Sequence, residues 1–116
     1  MDEEQRYRKI TLFKNYFQDF FVKQRDKVRD KIIWTLELIE DVQKIPETYL
    51  KHIENTDGLY EIRVQQGRDI FRIFCFFDQG QLVILMNGFQ KKTQKTPQKE
   101  IDKALKIKEE YEKSKK

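Results

Sequence analysis

Cysteine is almost missing from this chain: Cys75, inside the run Phe74-Cys75-Phe76-Phe77, is the only one among 116 residues. A single thiol makes no intrachain disulfide and rules out a cysteine-based zinc site, so Cys75 is expected to be a small core residue in a reduced cytoplasm. Proline is as scarce, with only Pro46 and Pro97, and no internal repeat, Gly/Ser linker or low-complexity block divides the sequence. Residues 1–116 are therefore expected to form one domain. No stretch approaches 18 uncharged apolar residues, so no membrane span is expected. The start, Met1-Asp2-Glu3-Glu4-Gln5-Arg6, is acidic and lacks the apolar run of a secretory signal. His52 is the only histidine, and a lone histidine with scattered acids lacks metal-ligand spacing. Neither a Gly-rich phosphate loop nor a GxSxG elbow is present.

What the chain does have is aromatics and charge. Nine Phe and five Tyr lift the aromatic share to 13%, enough for a packed interior, while 38% of residues are charged with both signs mixed. The balance is uneven. From Lys91 onward ten lysines face five acids, a net +5, which leaves −1 for the first ninety residues of a chain at +4. Such asymmetry fits a polyanion or an acidic partner, and equally a solvated Lys-rich helix.

Patterning gives the element order. Arg8 to Phe13 alternates as a short strand. Asn15 with Gln18 forms a capping-box pattern for a helix carrying Tyr16, Phe17, Phe20 and Phe21. A longer helix from about Asp26 carries the stripe Val28, Ile32, Thr35, Leu36, Ile39 and Val42, widened by Ile33 and Trp34, and Pro46 ends the hairpin. A connector through His52 leads to the turn Asn55-Thr56-Asp57-Gly58. Three strands follow, Leu59–Gln65, Asp69–Phe77 and Gln81 to about Gln90, whose short Gly-containing connections predict an antiparallel meander. Thr96 as cap and Pro97 at the first position open a last helix, with Ile101, Ala104, Leu105, Lys108 and Tyr111 on its semi-apolar side. The expected class is α+β: a small antiparallel sheet, an N-terminal strand plus the meander, with an N-terminal helical hairpin and a C-terminal helix covering one face.

Alternation sorts the strand side chains. Tyr60, Ile62 and Val64 join Phe71, Ile73, Cys75 and Phe77 on one face; Glu61, Arg63 and Gln65 join Ile70, Arg72, Phe74 and Phe76 on the other. Arg63 and Arg72 on one face, beside Phe74 and near a lysine-rich strand end, have the pattern of a phosphate-gripping surface. The plainer alternatives are that Arg63 pairs with Glu61 or a cross-strand acid and that Arg72 snorkels to solvent. Lys91, Lys92 and Lys95 read equally as a solvated face. His52, in the connector, is expected to be a surface or capping residue.

Three segments carry a resemblance. Gly58-Leu59-Tyr60-Glu61-Ile62-Arg63, Ile70-Phe71-Arg72-Ile73-Phe74 and Leu85-Met86-Asn87-Gly88-Phe89-Gln90-Lys91-Lys92-Thr93-Gln94-Lys95-Thr96-Pro97 follow in that order. Together they resemble the phage-derived HigB-like branch of the RelE/HigB toxin superfamily. The resemblance implies the toxin of a type II toxin–antitoxin pair, with a helix-turn-helix antitoxin as partner. It also implies an endoribonuclease cutting ribosome-bound mRNA without a metal or small-molecule cofactor. By correspondence of motif it makes Arg63, Arg72, Lys91 and Lys92 catalytic, with Arg72 taken as an exposed cleft residue. Lys95, Lys99, Lys103 and Phe74 are implied as contacts to RNA or ribosome. The sequence departs from the RelE pattern of a tyrosine after the last strand: Tyr111 comes too late, which leaves the general acid and base unassigned. Two other functions fit the same pattern: a ParE-like toxin that binds a protein such as gyrase, and a non-catalytic nucleic-acid-binding protein. The two strand arginines and the lysine segment favour the nuclease.

Overall fold

The two-residue period of 59–77 and the helical spacing of Val28, Ile32, Thr35 and Ile39 both find their match in the computed structural model, which describes residues 6–80 and 82–115. Residues 1–5, which carry most of the acidic start, lie outside the described residues. So do Gln81, the expected first residue of the last strand, and Lys116. The elements are β1 (Lys9–Leu12), α1 (Tyr16–Phe21), α2 (Asp26–Asp41), β2 (Leu50–His52), β3 (Tyr60–Gln66), β4 (Asp69–Asp78), β5 (Leu82–Lys91) and α3 (Gln98–Ser114). This is the expected α+β class, with its helical hairpin first and its long helix last.

The sheet has five strands in the order β1-β5-β4-β3-β2. The segment expected as a connector supplies the extra strand: Leu50, Lys51 and His52 pair antiparallel with Ile62, Glu61 and Tyr60. Three residues are too few to show a period, so β2 leaves no signal in the sequence. The sheet is also mixed, because β1 runs parallel to β5, from Lys9 opposite Leu82 to Leu12 opposite Leu85. Parallel neighbours need a long crossover, and the two helices and the meander provide it. The β3–β4 turn closes on Gln66 and Asp69 with Gly67 at φ +62°, a left-handed position where glycine costs nothing.

Helices cover both faces of the sheet rather than one. On the first face α1 and α2 bury Phe17, Phe20, Val28, Ile32 and Ile39 against Ile62, Val64, Phe71, Ile73 and Cys75. On the second, α3 buries Ala104 and Ile107 against Phe74, Phe76, Ile84 and Met86. The reason is β4, whose two walls are both apolar; a strand of that kind needs cover on each side. Burial pushes the Cys75 thiol up from its ordinary pKa, so it stays protonated and inert.

Four local expectations change. α2 stops at Asp41, well before Pro46: Val42 is already extended, and the Arg8 guanidinium donates to Ile39 O (3.1 Å) in the last turn and to Val42 O (2.6 Å) and Gln43 O (2.7 Å) just beyond it. Ile33 and Trp34 lie on the exposed side of that helix, and Val42 is exposed beyond its end. Asn15 precedes α1 without a side-chain capping bond. Pro97, not Thr96, occupies the cap position of α3, its carbonyl accepting from the Glu100 and Ile101 amides. Among the described residues, no helix is long and apolar enough to cross a membrane.

Candidate functional site: a paired-arginine groove

The register assembles a charged patch on the α3 side of the sheet. Lys51 lies opposite Glu61, Arg63 opposite Arg72, Arg72 opposite Phe89, and Lys91 opposite Ile70. Alternation sends all of these side chains to the same face. The Arg63 amide donates outward to Tyr49 O (2.8 Å), so Arg63 and Arg72 form a non-hydrogen-bonded pair, the closer of the two antiparallel spacings.

Two guanidinium groups on neighbouring strands repel, and Glu61 offsets them. Its Oε2 accepts from Arg63 Nε (3.0 Å) and Arg72 Nε (3.1 Å), and its Oε1 accepts from the Thr96 hydroxyl (2.9 Å). Glu61 is 4% exposed and Arg72 8%, so their ion pair is buried, and the half-buried Arg63 joins it from the rim. Arg72 Nη1 donates to Phe71 O (3.0 Å) and Arg63 Nη1 to Glu47 O (3.4 Å). The Nη2 groups of both make no hydrogen bond among the described residues. Burial draws Arg72 below its ordinary pKa while Glu61 pulls it back up; a guanidinium stays charged at neutral pH regardless. Lys91 is also lowered, first by burial, then by the charge of Arg72, with Arg63 and Lys51 adding to the effect and Glu61 opposing it.

A groove of about 400 Å³ opens beside the arginines, lined by Lys31, Thr48, Tyr49, Arg63, Gln65 and Arg72 among others. Among the described residues no acidic side chain lines it, and the adjacent Glu61 is already engaged with both arginines and Thr96. A larger concavity of about 640 Å³ lies along α3, lined by Tyr16, Lys99, Asp102, Lys103, Lys106 and Glu110. There two acids, Asp102 and Glu110, stand among the three lysines, Glu110 also accepting from Lys14 (2.6 Å) and Tyr16 (2.8 Å), so the net positive charge of the lining is smaller. The arginine groove is the better anion site on that ground.

Arg63, Arg72 and Lys91 are thus gathered on one patch, and Arg63 does pair with Glu61 as its plainer alternative held. Arg72 is buried, which corrects its placement as an exposed cleft residue. Lys92 and Lys95 are exposed just past β5, where the Thr93 hydroxyl donates to Lys95 O (2.7 Å). Lys99 and Lys103 belong to the α3 concavity, apart from the arginine groove. Phe74 is fully buried and its ring stacks on Phe89 at 5.7 Å, so it presents no surface to RNA; the apolar second face claimed it. His52 pairs with Tyr60 on the opposite face from Lys51, its ring nitrogen 3.1 Å from Thr56 O.

Three members of the patch escape sequence reasoning. Glu61 sits in register with Arg63 by alternation but reads as an ordinary partner. Lys51 hides in a strand of three residues. Thr96 looks like a helix cap while its hydroxyl ties the Lys91–Thr96 segment to Glu61.

The arrangement defines a class, a small α+β protein with a cationic groove built on the open end of its sheet. The chain belongs to the family described as phage-derived protein Gp49-like (DUF891), whose profile matches residues 19–109. That span contains Lys31, Tyr49, Lys51, Glu61, Arg63, Arg72, Lys91 and Thr96. A comparison with curated proteins finds no match.

Proposed function

We propose that the chain is the toxin of a type II toxin–antitoxin pair of the RelE/HigB kind, a metal-independent endoribonuclease that cuts mRNA on the ribosome. The observation that carries this reading is the convergence of Arg63, Arg72 and Lys91 on one patch beside an open groove. Membership of a phage-derived family and the lysine segment after β5 support it. The partner is a helix-turn-helix antitoxin encoded in the neighbouring reading frame.

The chemistry needs little from the protein, because RNA carries its own nucleophile. The 2′-oxygen attacks the adjacent phosphorus and its proton passes to the neutral amine of Lys91. The bond from phosphorus to the 5′-oxygen breaks, and that oxygen leaves with a proton from solvent, giving a 2′,3′-cyclic phosphate. Arg63 and Arg72 offset charge on the phosphoryl oxygens through their Nη2 groups. A lowered lysine pKa places more neutral amine near physiological pH, which is what a general base requires. Glu61 is a positioning residue: it fixes both guanidinium groups and, through Thr96, the segment that follows Lys91. Lys92, Lys95, Lys99 and Lys103 bind the RNA and ribosome backbone through counterion release.

Expression in a translating extract tests the reading. Mapped message ends should fall inside translated codons, and the same extract with Arg63→Gln protein should leave the message whole. Intact message together with a supercoiling defect would favour a gyrase poison instead.

A further inference from the structure

Trp34 belongs to α2, and its neighbourhood in sequence predicts burial, yet it is 46% exposed. Its surroundings are ordered. The Tyr49 ring meets it edge-on at 5.6 Å and 64°, and Lys31 Nζ lies 4.4 Å over its face. Tyr49 and Lys31 also line the groove that holds Arg63 and Arg72, while Lys31 and Trp34 share a shallow concavity with Gln66. The exposed indole and the arginine pair are therefore two parts of one continuous surface.

The sheet edge explains how that surface crosses from one face to the other. β2 ends after three residues, so β3 beyond Arg63 has no strand on its outer side. Around this open edge the groove passes from the arginines to α2. Lys27, Lys31, Arg63 and Arg72 supply positive charge along it, against Asp30 and the already engaged Glu61. A flat aromatic beside a cationic groove matches a nucleotide in both its parts, with phosphate on guanidinium and base on indole.

We propose that Trp34, supported by Tyr49, is a stacking shelf for one unpaired base of single-stranded RNA whose neighbouring phosphate lies on Arg63 and Arg72. This rests on the nuclease reading for the identity of the groove's occupant, and it adds a contact to the base, hence a source of base or codon preference. Lys31 then turns from the indole face toward the RNA backbone.

Trp34 is the chain's only tryptophan, so the emission of the unmodified protein reports on the shelf directly. The probe is a short 2′-O-methyl RNA, which lacks the nucleophile and survives, titrated at low salt against the full chain. Trp34 emission should be quenched along the same curve as the oligonucleotide's anisotropy. Trp34→Ala should weaken binding about tenfold or more, the effect of losing one base–aromatic stack. An abasic strand of equal charge should bind both proteins alike and leave the Trp34 emission of the wild-type chain unchanged. Arg63-dependent binding with unchanged emission and no loss in Trp34→Ala would overturn the shelf and leave the nuclease reading standing. No binding to the wild-type chain would overturn the shelf, while the nuclease reading would still be decided by message cleavage in the translating extract. Quenching by a co-expressed antitoxin but not by RNA would reassign the shelf to a protein partner.

Discussion

At the scale of single residues the molecule turns on Glu61, whose one oxygen accepts from two guanidinium groups while the other holds Thr96. Removing either arginine leaves the carboxylate half compensated, and the two removals differ because Arg72 is more deeply buried than Arg63. Arg72→Ala should cost about 1–3 kcal/mol of stability, the penalty of an unmatched buried polar group. Arg63→Ala should cost clearly less while losing as much activity. Urea unfolding of the two variants checks this, and equal midpoints would contradict it. Lys91 makes a second prediction. A base must be neutral, so cleavage should rise with pH through the lowered Lys91 pKa. Glu61 raises that pKa, so Glu61→Gln should move the rising limb to lower pH; Arg72 lowers it, so Arg72→Gln should move the limb to higher pH. Single-turnover profiles on programmed ribosomes read the shift, and limbs that stay put would remove Lys91 from proton transfer. Strand alternation made the shared face of Arg63 and Arg72 legible in advance. The hub escaped because an acid two residues from an arginine is the commonest of surface pairs, and burial is what makes this one different.

Among the elements, β4 and β5 determine the most. The apolar walls of β4 were visible in Phe71, Ile73 and Cys75 and again in Phe74 and Phe76, yet the consequence, a helix on each face, follows only once the whole strand is seen as central. β2 and the parallel β1–β5 pairing are long-range outcomes that no local period encodes. The place of Trp34 is another, since helical spacing puts it beside the buried stripe and tertiary packing decides which side of the boundary it takes. Gly88 shows how tightly α1 meets β5: a Cβ built there lies 2.6 Å from a Phe20 ring carbon. Gly88→Ala should therefore force Phe20 and α1 outward, costing about 1–3 kcal/mol as overpacking does. A thermal or urea midpoint equal to wild type would mean that α1 yields freely.

Taken whole, the molecule keeps its excess positive charge at the end of the chain, and the fold carries one part of it, the Lys91–Thr96 segment, to the arginine groove while α3 spreads the rest along its outer side. A polyanion would be drawn to that side and seated where Arg63 and Arg72 meet. Brief induction of the chain in cells followed by primer extension on abundant messages tests this account most directly. The wild-type protein should generate new 5′ ends within coding sequence, and the Arg63→Gln and Lys91→Gln proteins, accumulated to the same level, should generate none. Growth arrest with full-length messages, or cleavage undiminished in both variants, would contradict it.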